Sequence, residues 1–380
     1  MTERSRPRVG GATRVAVIGL GEAGATIHLP ALRQLAEVEV VGAADPDETR
    51  RREASARHGV PVFRDSDELL AKSAPELVIV ASPPALHAGH CIAAMDAGAD
   101  VLCEKPFAAS VREGRDVLAR AAKAGRQIAV NHEFRTMPVF RDVIAATRAD
   151  GQGPAVVQVW QAIDHDPASE TGWRGQLRRR SLYEAGVHLV DLALQLFGET
   201  PRAVSATLAP SVNGASAADA IVVATLQFSR GRLAQLMQCR VHRGDRQYLE
   251  VRADTRDASF RASFGGRARL TAGLLRSARP HVAFERGASG VAWVERGAKR
   301  HVLSRNGGTP LVAATRDVIR ACIGALRTGA PLPFPATDGV DCLRVVAAAY
   351  RAAEIGQAVL LDGPDGEAAH SMSLAEKIAR

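Results

Sequence analysis

The sequence predicts an α/β chain in which a doubly wound parallel sheet is followed by a second α/β domain with an open, mainly antiparallel sheet. Three observations carry that prediction. Over the first third, short apolar runs alternate with helix-length segments. A glycine-rich turn with GxGxxG spacing joins the first run to the first helix. Beyond about residue 150 the pattern changes to short, strand-like runs joined by turn residues.

The first run, Val15-Ala16-Val17-Ile18, is too short for a helix and suits a buried strand. Gly19-Leu20-Gly21-Glu22-Ala23-Gly24 follows at once. Gly19 and Gly21 let the chain turn tightly and let backbone approach a pyrophosphate, while Gly24 lets a helix sit close on the strand. A second run, Val38 to Ala44, ends in Asp45, at the distance where an acid binds the adenosine ribose hydroxyls. Strand, glycine turn, helix and acid together predict a dinucleotide site. Asp45 favours NAD over NADP, because a carboxylate repels a 2′-phosphate; Arg50, Arg51 and Arg52 nearby weaken that preference or form a solvated helix face.

The alternation continues. Helices are expected over Glu48–His58, from Asp65 or Ser66 to Lys72, over Ala85–Ala97 and over Ser110–Ala124. Strands are expected at Val62-Phe63, Leu77–Ala81, Val101–Cys103 and Gln127–Val130. Ligands of such sheets sit outside the carboxyl ends of the strands. Those ends carry Gly19-Leu20-Gly21, Asp45, Ser82-Pro83, Glu104-Lys105 and Asn131-His132. In the second half, Val156–Ile163, Arg202–Leu208, Ala220–Phe228, Arg232–Val241 and Tyr248–Ala253 read as strands, with a hairpin turn at Ser229-Arg230-Gly231. Residues 255 to 310 give no clear boundaries. Two helices, about Leu311–Arg327 and Val340–Ile355, close the fold. The expected division is a disordered leader over 1–13, a dinucleotide-binding domain over 14–133, a substrate and oligomerisation domain over 134–361 with its closing helices near the first domain, and a frayed tail over 362–380.

A length of 380 residues suits two domains, and 46% hydrophobic residues suffice for their cores. The net charge of +8 raises the question of nucleic acid, but the basic residues are dispersed and aromatics make up only 4%. Nucleic acid and membrane are therefore not expected as partners. No apolar run approaches a membrane span, and the basic leader lacks the apolar core of a signal peptide. Five widely spaced cysteines without a CxxC pair fit a reduced cytoplasm, with no disulfide framework and no cysteine metal site.

Ser181 to Phe197 is the most informative segment of the second half. Ser181 and Glu184 have capping-box spacing. Glu184, His188, Asp191 and Gln195 fall on one helical stripe, and apolar residues cover most of the rest. A narrow ionisable stripe on a buried helix needs partners, water or a ligand, which an interdomain cleft would supply. Glu184 as a mere cap and His188 as a core histidine are the plainer alternatives. Lys105, at a strand end between Glu104 and Pro106, suits the holding of a substrate hydroxyl and its developing alkoxide; otherwise it is half of a surface Lys–Glu pair.

These residues resemble the glucose–fructose oxidoreductase/inositol dehydrogenase (Gfo/Idh/MocA) family. Glu104-Lys105-Pro106 matches its EKP segment, and Ser82-Pro83-Pro84 with His87 matches its fourth-strand turn. Trp173-Arg174, Gly186, His188 and Asp191 match its active-site helix, and Gly329 and Pro331 sit between the closing helices as in the family. The resemblance covers roughly residues 14 to 361. It implies a Rossmann domain, a held nicotinamide cofactor, a sugar, cyclitol or related polyol substrate, and dimers or tetramers through the C-terminal sheet. It implies catalysis by Lys105, His188 and Glu184 without metal. It also implies cofactor contacts from Gly19, Gly21, Glu22, Ala23, Gly24, Asp45, Ser82, Pro83, His87, Glu104 and Lys105, and substrate contacts from Arg135, Trp173, Arg174, Arg178, Arg179 and Asp191.

Three departures stand out. Glu184 replaces the family's aspartate. Arg178-Arg179-Arg180 replaces its glycine run, to clamp a substrate carboxylate or phosphate or to face solvent or a partner subunit. The sixth-strand segment keeps only Arg135 and Pro138. The expected function is hydride transfer between nicotinamide and a hydroxyl or keto carbon. Two alternatives are redox-assisted elimination or glycoside cleavage on bound NAD, and a non-catalytic NAD-binding sensor.

Overall fold

A computed structural model describes residues 11–151, 153–164, 170–211, 218–242, 248–265, 269–274, 280–285, 290–306 and 310–376. The chain divides into two compact units. One contains residues 1–133, 311–343 and 371–373, the other 134–310, 344–370 and 374–380.

The first unit is built on six parallel strands: β1 (Thr13–Ile18), β2 (Val38–Ala44), β3 (Val62–Phe63), β4 (Leu77–Val80), β5 (Asp100–Cys103) and β6 (Ile128–Val130). Their order is β3-β2-β1-β4-β5-β6, so the winding reverses between β1 and β4, where doubly wound sheets bind ligands. Helices α1 (Leu29–Leu32), α2 (Glu48–His58), α3 (Ser66–Ser73), α4 (Pro84–Asp96) and α5 (Val111–Ala124) connect them. Local chemistry sets several ends. The side chains of Asp47, Asp65 and Ser110 cap α2, α3 and α5, and left-handed Gly59 and Gly125 close α2 and α5. The central strand β4 is apolar and buried along its whole length, as expected of a strand covered on both faces. Val15, Val17, Ile79 and Leu102 share a buried core with Leu29 and Leu32, and with Val318, Ile319, Cys322 and Ile323 of α8 (Pro310–Thr328). That closing helix thus belongs to the first unit's core. The leader expected over 1–13 needs correction at its end: Thr13 already pairs with Val38 in β1, while residues 1–10 lie outside the described residues.

The second unit has a nine-stranded sheet. Its strands are β7 (Val156–Ala162), β8 (Ala203–Pro210), β9 (Asp219–Gln227), β10 (Leu233–Cys239), β11 (Tyr248–Asp254), β12 (Ser259–Phe264), β15 (Val291–Arg296), β16 (Lys299–Arg305) and β17 (Val359–Leu360). All neighbours pair antiparallel except β7 and β10. A separate hairpin, β13 (Arg269–Leu274) with β14 (Pro280–Glu285), completes the stretch between 255 and 310 that gave no clear boundaries in sequence. Helices α6 (Pro138–Ala149) and α7 (Val187–Phe197) pack on the sheet. Alternation along the strands buries Val157, Val159, Ala224, Leu226, Leu236 and Val251, whereas Val223, Leu233 and Met237 stay exposed on the opposite face. The turn at Ser229-Arg230-Gly231 forms as expected, with Arg230 and Gly231 both left-handed.

Two further expectations are corrected. The tail is not frayed throughout its described part: α10 (Pro364–Ala369) buries Ala369, and Leu374 is fully buried. The segment 181–197 is not one α-helix from a Ser181 cap, because Ser181–Gly186 forms a π-helical turn before α7. Ser181 donates its hydroxyl to the Asp219 carbonyl instead of capping. Asp219, buried beneath this turn, also accepts the backbone N–H groups of Arg180 and Ser181. The turn's orphan donors therefore find a side chain distant in sequence.

Candidate active site

At the carboxyl edge of the first sheet, the glycines are there for different reasons. Gly19 has φ +101, and a Cβ on it would lie 2.6 Å from the backbone of Ala81 and Ser82. A Cβ on Gly24 would lie 1.9 Å from the Gly19 carbonyl oxygen. Both are needed for the turn itself. Gly21 is not: a Cβ there would meet only the Arg50 guanidinium, at 4.0 Å. Its bare backbone leaves room for a phosphate to approach, so the cradle fits a dinucleotide. Glu22 is exposed in the same turn and Ala23 half-buried. Asp45 is 5% exposed; its carboxylate accepts the Leu20 N–H at 2.8 Å and the Asp47 N–H at 2.9 Å. Arg50 lies 3.7 Å from it. Asp45 is thus fixed to the glycine turn by backbone bonds.

Beyond the switch point, Ser82 bonds His90 at 2.9 Å, and Pro83 and Pro84 start α4. His87 is buried, with Nδ1 2.9 Å from the Pro106 carbonyl and Nε2 2.7 Å from that of Ser82. The ring thus lies between the loops after β4 and β5, its one N–H in the neutral form serving one carbonyl at a time, and burial holds its pKa below the usual histidine value. Glu104, at the end of β5, is also buried. It lies 2.7 Å from His28 Nε2, accepts the Asn131 amide at 2.7 Å, and accepts the Lys105 N–H at 3.1 Å. Burial pushes its pKa up, but the bond and charge of His28, the Lys105 ammonium and the Asn131 amide prevail and hold it at about 2. Lys105 is half-buried beside this fixed anion.

In the second unit, His188 on α7 is 5% exposed and stacks on Phe134, with ring centroids 4.0 Å apart and planes within 11°. Asp191, one turn on, takes the Arg135 guanidinium through Nε, at 3.0 and 2.9 Å, and Nη2. The structure thus pairs two predicted substrate residues with each other. Gln195, last of the stripe, bonds Arg148 near the surface.

Glu184 sits in a cage of arginines. It pairs with Arg174, with Arg180 at 3.3 Å and with Arg240 at 3.7 Å. Glu170 balances the cluster by pairing with Arg180 and Arg240. Burial pushes the Glu184 pKa up, yet the charges of Arg240, Arg174 and Arg180 outweigh it and hold the carboxyl at about 2. Arg180 is fully buried; burial and the neighbouring Arg240 lower its pKa to about 10. Arg174 lies over the Trp173 ring at 4.6 Å. Arg179 turns away to Glu354, at 2.7 Å, and Glu376. Arg178 is exposed, and its N–H donates to the Glu376 carbonyl. The three consecutive arginines thus face three different surroundings.

Sequence reasoning missed His28, Asn131 as a Glu104 anchor, Glu170, Asp219, Arg240 and Tyr350, whose hydroxyl donates to Asp219 at 3.0 Å. His28 carried a faint signal, a histidine on the apolar side of the helix after the glycine turn. Arg240 and Glu170 carried none, being lone charges far apart in the chain.

Residues 13–132 match the family described as "Oxidoreductase family, NAD-binding Rossmann fold", and residues 149–259 match the "GFO/IDH/MocA C-terminal domain". D-apiose dehydrogenase of Paraburkholderia graminis is 25% identical over 90% of this chain and 88% of its own. The scyllo-inositol 2-dehydrogenase (NADP(+)) of Bacillus subtilis is 24% identical over 92% and 96%. Among solved structures, an oxidoreductase from Agrobacterium radiobacter, in complex with NAD+, L-tartaric acid and magnesium, has a TM-score of 0.78 at 16% identity, over 92% of this chain and 98% of its own. GenD2 from gentamicin A biosynthesis, in complex with NAD, has a TM-score of 0.76 at 22% identity, over 96% and 100%. With both halves of the chain matched to the family's two domains, and the six-stranded edge and α7 carrying its motifs, the protein belongs to the GFO/IDH/MocA family of oxidoreductases.

Proposed function

We propose that the protein is a nicotinamide-dependent dehydrogenase acting on a hydroxyl or keto carbon of a neutral sugar, cyclitol or related polyol, with NAD preferred over NADP. The observation that carries this reading is the strand-end edge itself: an open glycine cradle, a fixed ribose acid, and Lys105 beside the ionised Glu104. When bound, the nicotinamide supplies the hydride acceptor. Lys105 holds the substrate oxygen by its ammonium and steadies the charge that grows there. His188 takes the hydroxyl proton. Glu184, held ionised by Arg174, Arg180 and Arg240, remains an anion throughout and balances their charge.

The sugar and inositol substrates of the named relatives support the substrate class. The preference for a neutral substrate rests on the arginines. Arg174, Arg180 and Arg240 share Glu170 and Glu184, and Arg179 has Glu354 and Glu376, so each already has a carboxylate partner. An acidic sugar would have to displace one of them. The preference for NAD rests on Asp45, whose carboxylate would repel a 2′-phosphate. Homo-oligomerisation through the C-terminal sheet is supported by the exposed Val223, Leu233 and Met237 on one face of adjacent strands.

The test is a polyol panel with NAD+ and NADP+, read by nicotinamide absorbance. Net substrate-dependent reduction is expected with a neutral polyol and NAD+. Substrate conversion without net reduction would instead support redox-assisted elimination or glycoside cleavage. Tight nucleotide binding without any conversion would support a sensor. Absence of nucleotide binding would end all three readings.

A further inference from the structure

The His28–Glu104–Asn131 group goes beyond what the proposed reaction needs for holding Lys105. Glu104 directly follows β5, two strands from the glycine turn, at the carboxyl edge of the sheet. A dinucleotide bound across the reversal between β1 and β4 places one half on each side of it. Asp45, on the β2 side, marks the adenosine half. The β4–β5–β6 side is left for the nicotinamide half, and strand spacing of about 5 Å puts the end of β5 within roughly 10 Å of the turn.

Three features show that Glu104 is built to stay charged. First, His28 closes a π-helical turn, Gly24–His28, that starts directly at the cradle and carries the imidazole to full burial against the carboxylate. Second, Asn131, 1% exposed at the end of β6, gives its amide N–H to the same Glu104 oxygen. Third, two buried polar atoms of the group, His28 Nδ1 and Asn131 Oδ1, have no hydrogen-bond partner among the described residues, so the group's bonds converge on Glu104. Lys105, His87 and the buried Cys103 thiol also act on Glu104 or feel its charge, and burial disfavours the charged forms of His87 and Cys103.

We propose that Glu104, fixed by His28 and Asn131, is an electrostatic element that favours the oxidised, cationic nicotinamide over the reduced, neutral one, while Lys105 opposes it. This inference rests on the reading that a nicotinamide dinucleotide binds at this edge. An anion near the ring interacts with its positive charge and loses that interaction on reduction, and an ammonium does the reverse. Glu104 therefore acts as a positioning and charge-setting residue for the cofactor's redox preference, beyond its contact with the Lys105 backbone.

The test is the ratio of dissociation constants for NAD+ and NADH, with NADP+ and NADPH in parallel, measured by titration without substrate. Glu104→Gln keeps the shape and removes the charge. It is expected to weaken NAD+ relative to NADH by about tenfold. Lys105→Met, at a half-buried position, is expected to shift the ratio the opposite way by severalfold. Opposite shifts cannot come from a loss of shape alone. If Glu104→Gln does not fold, Lys105→Met decides by itself. Ratios within about twofold of wild type, or shifts in the same direction, overturn the proposal. A wild-type protein that binds neither nucleotide overturns the underlying reading instead.

Discussion

Glu104, buried, and Glu184, half-buried, are both carboxylates with pKa held at about 2, and they are held in different ways. Glu104 is surrounded by donors from three neighbouring strand-end and helix positions of one sheet edge: His28, Lys105 and Asn131. Glu184 is surrounded by three guanidinium groups from positions 174, 180 and 240. The first arrangement is anchored largely by hydrogen bonds to single groups. The second is a charge cluster in which every member depends on the others. Removing a charge should therefore be tolerated in the first and damaging in the second.

The largest effect expected is from Glu184→Ala, which leaves Arg174, Arg180 and Arg240 with one fewer anion. A loss of about 3–5 kcal/mol is expected by denaturant unfolding, whereas Glu104→Gln should cost less than half as much. Equal losses would erase the contrast. Acid should expose the same groups next. Both folded pKa values lie below the ordinary 4.5, so each carboxylate's stabilisation is complete above that value and is lost as pH falls toward 2. Unfolding midpoints that fall between pH 4.5 and 2 in wild type, and flatten in Glu104→Gln, would bear this out; a flat profile over that window would contradict it.

The comparison also shows why one half of the site was legible in sequence. Gly24 and Asp45 act through backbone geometry fixed within thirty residues, and Asp47, Asp65 and Ser110 cap helices by local bonds. Such features leave local patterns. The helix at Ser181 was misread because its orphan donors are met by Asp219, thirty-eight residues on, rather than by its own cap. The stripe of Glu184, His188, Asp191 and Gln195 was visible, but their partners were not. Arg135 reaches Asp191 from fifty-six residues away, and Arg240 meets Glu184 across a sheet strand. Charge pairing over such distances has no period to read.

Within the first unit, two glycines sharpen the contrast between cradle and scaffold. Gly24→Ala should destabilise the fold by about 2 kcal/mol or more, because its Cβ meets the Gly19 carbonyl. Gly21→Ala should leave the unfolding midpoint nearly unchanged and weaken nucleotide binding at least about tenfold, about 1.4 kcal/mol. If Gly21→Ala binds nucleotide as wild type does, the cradle is misassigned. A similar size of effect is expected for Asp45→Ser, with the preference for NAD+ over NADP+ falling about tenfold in titration. The smallest effect on stability is expected at the exposed Met237. Met237→Glu should change it by less than about 0.5 kcal/mol, while sedimentation should show a smaller assembly if the open sheet face joins copies of the chain.

The most direct test of the proposed function is the Lys105→Ala variant, assayed for hydride transfer with a polyol that wild type oxidises and for nucleotide affinity in the same preparation. The expected result is turnover reduced by about a hundredfold or more with nucleotide affinity within a few-fold of wild type. Turnover at the wild-type rate would contradict the assignment of Lys105, and with it the account of this edge as the reacting end of the site.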